Sequence, residues 1–207
     1  MKVTSPTVIV IDDDDAVRSS LKLLFRSIGL RVAAYAAAQE FLSAYALDQP
    51  GCLVVDVRMP GMSGLALQQQ LNLLGATIPV IFITGHGDIA MAVEAMQHGA
   101  FDFLPKPFRD QDLIDRVQRA LEKDAQGRDE LGHGERIRER LESLTPRERE
   151  VLDLVTSGKP NKVMAADLGV SQRTIEIHRA RVMEKMNASS LAQLVRMTLE
   201  IRTVKRA

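Results

Sequence analysis

The sequence places reactive side chains where short apolar runs end: Asp12 and Asp13 after TVIVI, Asp56 after LVV, Thr84 after VIFI, and Lys106 between two prolines. In an open parallel sheet, ligands bind just beyond the carboxyl ends of the strands, so these residues would share one edge. Three carboxylates on one edge repel each other unless a cation sits among them. An all-oxygen set with room for water suits Mg2+ better than zinc. Such an ion would screen a phosphoryl group arriving beside Asp56, while Lys106 and the Thr84 hydroxyl bind its other oxygens. Asp56 then becomes a nucleophile toward phosphorus. The neighbouring Asp14 and Asp15 read instead as an acidic helix start, favourable at the positive end of the helix dipole.

The elements that must hold these groups follow from periodicity. Short runs rich in β-branched residues predict strands at Thr7 to Asp12, Arg31 to Ala34, Leu53 to Asp56, Pro79 to Thr84 and Phe101 to Leu104. They are mostly apolar throughout, as strands covered on both faces are. Between them run helical stripes: Val17, Leu21, Leu24 and Ile28; Ile89, Val93 and Met96; Leu113, Val117 and Leu121. The βα alternation predicts an α/β class, a doubly wound five-stranded parallel sheet. After Leu144 the strand pattern stops, and four helices are predicted at Pro146 to Ser157, Lys162 to Leu168, Gln172 to Met186 and Ser190 to Arg202, a small all-α unit.

Charge divides the chain in the same place. Residues 1–122 hold 10 basic and 14 acidic side chains, 123–143 hold 5 and 6, and 144–207 hold 12 and 7. We therefore expect domains at 1–122 and 144–207 with a linker at 123–143, whose charges and glycines allow either a flexible tether or an interrupted helix. The apolar runs are far shorter than the roughly 20 residues that span a bilayer. The amino terminus lacks the pattern of a secretion signal, so the expected location is the cytoplasm. One cysteine, Cys52, forms neither an internal disulfide nor a thiolate metal site by itself and reads as a buried small hydrophobe.

Around the reactive residues, IDDDD, DVRMPGMSG, ITGHGD and FLPKPF resemble the receiver domain of bacterial response regulators over residues 6–121. The resemblance implies that Asp56 accepts a phosphoryl group from a sensor histidine kinase. It further implies that Asp12, Asp13, Asp56 and the carbonyl of Arg58 hold Mg2+, that Lys106 contacts the phosphoryl group, that the Lys106-Pro107 bond is cis, and that Thr84 and Phe103 form a switch pair. His86, two residues beyond Thr84, is placed to influence hydrolysis of the acyl phosphate. His98, before Gly99, reads as a cap or a surface group, and His133 has no partner legible in the sequence.

In the basic part, Lys162 to Leu168, the turn at Gly169-Val170 and the helix opening at Ser171 have the length of a helix-turn-helix. A helical wheel groups Ile175, His178, Val182 and Met186 as the buried stripe, which makes His178 a core histidine, with a direct DNA contact as the alternative. The opposite face carries Arg173, Ile177, Ala180 and Glu184, flanked by Glu176 and Arg181, and could enter a major groove. Thr174 joins this surface, and Lys162, Arg179 and Lys185 are expected on phosphates. LTPREREVLDLVTSGKPNKVMAADLGVSQRTIEIHRARVMEKM resembles the LuxR-type DNA-binding domain, and the whole chain resembles the FixJ branch of the NarL/FixJ response regulators. That implies a regulator that dimerises on phosphorylation and binds promoter DNA, with RNA polymerase as a further partner. The last helix would dimerise through Leu191, Leu194 and Val195, with Thr198 beside them. Glu176 and Ala180 stand where relatives often carry basic residues, so the DNA sequence read would differ.

Two rival functions are weighed. Mg2+-dependent aspartyl phosphatases carry an acid two positions after the nucleophile, whereas Asp56 is followed by Val57 and Arg58, so an enzyme in the usual sense is not expected. The other is a protein-binding output, in which the basic domain contacts another regulator or polymerase and never reads DNA on its own; gel shifts with random against selected duplexes separate it from DNA reading.

Overall fold

In the computed structural model, which describes residues 5–85 and 89–204 but not the side chains of Ile89 and 201–204, the chain forms two compact units, Met1–Arg128 and Asp129–Ala207. His86 lies outside the described residues. The first unit alternates β1 (Thr7–Ile11), α1 (Asp15–Ser27), β2 (Arg31–Tyr35), α2 (Ala38–Ala44), β3 (Gly51–Asp56), α3 (Gly64–Leu73), β4 (Val80–Thr84), α4 (Ile89–Gln97), β5 (Asp102–Pro105) and the start of α5 (Asp110–Glu142). All strand pairs are parallel in the order β2-β1-β3-β4-β5, the doubly wound arrangement that the alternation predicts.

Successive strand residues serve opposite faces. Ile9, Leu53, Val55 and Phe82 pack with Phe41 of α2, Leu67 and Leu71 of α3 and Ala95 of α4. Val8, Val10, Cys52, Val54 and Ile81 pack with Leu21 and Phe25 of α1 and Leu113 and Val117 of α5. Each Val, Leu, Ile and Phe among them contributes roughly 1.5–3 kcal/mol by leaving water. Cys52 is fully buried and its thiol is pushed up by that burial. Gly51 holds β3 against β1: its φ is 152°, and a Cβ there would lie 2.0 Å from the Thr7 carbonyl oxygen.

Two expected stripes need correction. In α1 the deep residues are Leu21 and Phe25, while Ile28 is 41% exposed at the helix end, because Gly29 turns the chain away there. In α4, Val93 and Met96 are each 49% exposed and Ala95 is buried. Val93 and Met96 thus belong to the outward face of α4, and the small Ala95 is what lets the helix approach the sheet.

The segment 123–143, for which composition allowed a tether or an interrupted helix, continues α5 without a break through Gly127, Gly132 and Gly134. Local bonds explain this. Within the first unit, Asp124 is 5% exposed and accepts from Gly51 N at 2.9 Å and Arg128 Nε at 2.8 Å, and Arg128 also donates to the carbonyls of Asp48 and Gln49. Within the second unit, Ile137 is fully buried in the core formed by α6 (Pro146–Thr156), α7 (Asn161–Leu168), α8 (Gln172–Lys185) and α9 (Leu191–Val204). α6 opens with a capping box between Thr145 and Glu148, and α7 ends at Gly169 in the left-handed region, φ 64°.

Candidate functional site

Because β1, β3, β4 and β5 run the same way, their carboxyl ends gather Asp12, Asp56, Thr84 and Lys106 at one edge. Asp12 is 1% exposed, Asp56 7% and Thr84 1%. The Lys106 ammonium lies between the two acids, 2.9 Å from Asp12 Oδ2 and 2.9 Å from Asp56 Oδ1. Its backbone N–H donates to the Thr84 carbonyl at 2.6 Å, and the Lys106-Pro107 bond is cis. Burial pushes the Lys106 ammonium down, but its bonds to Asp12 and Asp56 outweigh that, so it titrates above the ordinary lysine range.

The second oxygens of both acids are also engaged. Asp12 Oδ1 accepts from Asp14 N at 2.9 Å, and Asp56 Oδ2 accepts from Arg58 N at 2.7 Å. Gly64 is required beside Asp56, because a Cβ at that position would stand 2.5 Å from the Asp56 carbonyl oxygen. Phe103, half-buried, lies with its ring 6.5 Å from that of Phe82.

The run of four aspartates divides its labour. Asp14 caps α1, accepting from Ala16 N at 2.8 Å, and Asp15 pairs with Arg18 at 2.9 Å, as expected of a helix start. Asp12 turns inward. Asp13 is exposed and has no hydrogen bond or ion pair among the described residues. Asp12 and Asp56 therefore converge on Lys106, while Asp13, the next residue in the chain, is exposed. No three acids, histidines or cysteines among the described residues meet as a closed ligand group. Mg2+ retains several waters and takes one or two carboxylates, so two converging buried acids with an uncommitted third fit it better than a protein cage would.

In the second unit, α8 buries Ile175, Val182 and Met186, with His178 half-buried beside them and its Nδ1 out of solvent. Arg173, Glu176, Ile177, Ala180, Arg181 and Glu184 are exposed together, as is Lys162 on α7. The Thr174 hydroxyl is 2.8 Å from Ser171 Oγ at the helix cap, and Arg179 donates to Asn161 Oδ1.

Two expectations are corrected here. Lys185, expected on a phosphate, bonds instead to the carboxylate of Glu148 at 2.7 Å and the carbonyl of Ser143 at 3.1 Å. Glu148 is 2% exposed and must have a counter-ion; Lys185, with the Thr145 backbone, holds its carboxyl down to about 2. Leu194, expected at a dimer interface, is 1% exposed inside the domain core, as are Met197 and Thr198 at 4% and 7%; Leu191 is 45% exposed and Val195 half-buried. Residues missed by sequence reasoning include Arg18, Asp124 and Arg128; the i,i+4 spacing of the last two was their only signal. His133, unassigned before, pairs with Glu200 at 3.4 Å, and His98 Nδ1 lies 2.8 Å from the Glu94 carbonyl at the end of α4.

Residues 8–118 match the family model of the response regulator receiver domain, and residues 142–198 match that of the bacterial regulatory proteins of the luxR family. The chain belongs to the response regulators. Among its relatives, nodulation protein W of Bradyrhizobium diazoefficiens is 49% identical over 195 residues, covering 94% of this chain and 86% of that protein. Transcriptional regulatory protein FixJ of Azorhizobium caulinodans is 52% identical over 193 residues, 93% of this chain and 91% of that one. Among solved structures, the response regulator StyR superposes with a TM-score of 0.89 at 44% identity, covering 95% of this regulator and 100% of StyR. Full-length FixJ from B. japonicum gives 0.60 at 41% identity, covering 97% and 99%. This regulator is thus a phosphorylated transcription factor rather than an enzyme in the usual sense. No helix among its described residues is long and apolar enough to cross a membrane.

Proposed function

We propose that Asp56 is the phosphoryl acceptor of this regulator and that the acyl phosphate formed there switches it into a dimer that binds promoter DNA. One observation carries the reading: two buried carboxylates at the carboxyl edge of the sheet share one lysine ammonium at 2.9 Å each. In the transfer, an Asp56 carboxylate oxygen attacks phosphorus, the nitrogen–phosphorus bond of the phosphohistidine on a sensor kinase breaks, and the imidazole leaves with a proton. Mg2+, held by Asp12, Asp13, Asp56 and the carbonyl of Arg58, would neutralise oxygens of the incoming phosphoryl group.

Phosphorylation adds roughly −1.5 to −2 charge at a buried point. Lys106 follows the new oxygens, the Thr84 hydroxyl turns to them, and Phe103 moves into the space vacated. That rearrangement reshapes the faces of α4 and α5, where two receivers pair. We assign receiver work to 1–122 and DNA binding to 144–207, joined through 123–143, all in the cytoplasm. On DNA, Arg173, Thr174, Ile177, Ala180 and Arg181 face the major groove, Lys162 meets a phosphate and Arg179 steadies α8. Leu191 and Val195 pair the second units, and an exposed face of the dimer meets RNA polymerase.

The test compares wild type with Asp56→Ala, each with and without acetyl phosphate plus Mg2+, by sedimentation and by gel shift on selected against random duplexes. Wild type alone should dimerise and tighten on its selected DNA. Equal binding by both proteins would refute the switch.

A further inference from the structure

We propose that Arg18 is a positioning residue for the phosphoryl-transfer site, fixing the peptide between Asp12 and Asp13 so that Asp13 faces outward toward a divalent cation. The inference rests on the reading of Asp56, Asp12 and Asp13 given above. Arg18 is one turn into α1, and its side chain is only 15% exposed. Its Nη1 reaches back six residues to donate to the backbone carbonyl of Asp12 at 2.7 Å, and its Nη2 is anchored on Asp15 at 2.9 Å.

Asp12 is thereby held at three acceptor atoms: Oδ1 by Asp14 N, Oδ2 by Lys106 and the carbonyl by Arg18. With its side chain and its peptide both fixed, the turn leaves Asp13 directed outward and without an internal partner. A guanidinium is suited to the task, since its planar fork can bind a carbonyl and a carboxylate at once and stays charged at every working pH.

Arg18 acts on a bound cation in two opposing ways. Its positive charge disfavours a nearby cation, so its loss would by itself tighten Mg2+ binding. Its hydrogen bond orders the ligand loop, so its loss would weaken binding. Bonds of charged donors are the stronger class, and ordering should win: Arg18→Met should weaken Mg2+ affinity by about tenfold. Arg18→Lys keeps the charge and one donor and should lose less, and Asp15→Asn, which frees only the second anchor, should also lose less.

The experiment titrates MgCl2 calorimetrically into the unphosphorylated full-length proteins, then measures initial phosphorylation by acetyl phosphate across Mg2+ concentrations. The expected result is a weaker Mg2+ dissociation constant in Arg18→Met with the maximal rate at saturating Mg2+ held near that of wild type. Binding as tight as wild type, or tighter, would overturn the proposal. So would an unchanged affinity with a lowered maximal rate, which would make Arg18 a contact of the phosphodonor. If Arg18→Met fails to fold by circular dichroism, Arg18→Lys and Asp15→Asn decide on the same criteria. Wild type that binds no Mg2+ would overturn the site reading and this inference together, whereas wild-type binding with an indifferent Arg18 overturns this inference alone.

Discussion

Replacing Lys185 with methionine separates two roles for a lysine on α8, the helix proposed to read DNA. Its Nζ is 2.7 Å from Glu148 Oε2, and Glu148 is 2% exposed at the capping box that starts α6. The fall of the Glu148 carboxyl from an ordinary 4.5 to about 2 corresponds to an upper limit of about 3 kcal/mol. Solvent reaches the Lys185 side chain, which is 35% exposed, and the bonds to Thr145 survive the substitution. About half of the limit should be lost, ~1.5 kcal/mol. A depressed carboxylate contributes stability in full above its ordinary value, and the contribution fades as pH falls from 4.5 toward about 2. Urea unfolding of wild type and Lys185→Met should therefore differ at pH 7 and converge only as pH falls to about 2. DNA binding of the folded variant should keep its salt dependence. Unchanged stability with a salt slope flatter by about 0.9 would refute the reasoning and return Lys185 to a phosphate.

Ile137→Ala should cost roughly 2–4 kcal/mol in the unfolding of the second unit, because it removes a fully buried side chain; a fragment beginning at Leu144 should melt below one beginning at Asp129. Gly64→Ala should cut phosphorylation by acetyl phosphate at least tenfold, measured by phosphate-affinity electrophoresis, because its Cβ would displace the Asp56 backbone from 2.5 Å. Lys106→Met should destabilise the first unit by about 3 kcal/mol at pH 7 and make its melting temperature rise steeply with added Mg2+. In wild type, Lys106 titrates above its ordinary 10.5, so its stabilisation is complete below that pH and is lost as pH rises beyond it, which an alkaline unfolding series reads directly.

The reactive edge was legible because each of its residues ends an apolar run, and parallel strands put such ends together whatever the intervening helices do. Strand bounds missed by a residue or two, and the parallel class of the sheet followed from alternation, while its strand order comes from the pairing itself. Three things were hidden. Val93 and Met96 mimic a core stripe, and only the packing of Ala95 reveals which face of α4 is inward. The glycines of 123–143 lower helix propensity, yet Asp124, Arg128 and Ile137 each gain partners that outweigh the cost. Lys185 reads as a phosphate contact and Leu194, by resemblance, as a dimer contact, but neither reading shows that a buried Glu148 and a small helical core need them.

Those errors share a cause that bears on how the regulator reads DNA. A 64-residue domain with a net surplus of basic charge offers many lysines and arginines, and its interior must still neutralise whatever acids it buries. Glu148 takes Lys185, and Asn161 takes Arg179, so α8 keeps Arg173 and Arg181 as the exposed arginines on its outer face, with Ile177 and Ala180 between them. Arg173 itself lies 3.4 Å from Glu176, which is exposed. A base edge that engages Arg173 must therefore compete with Glu176, and an acid in the groove is tolerated best opposite a cytosine amino group. Sequence preference in this regulator should then be carried by few contacts, and replacing Glu176 with glutamine should broaden the set of duplexes bound while raising affinity for random DNA at low salt.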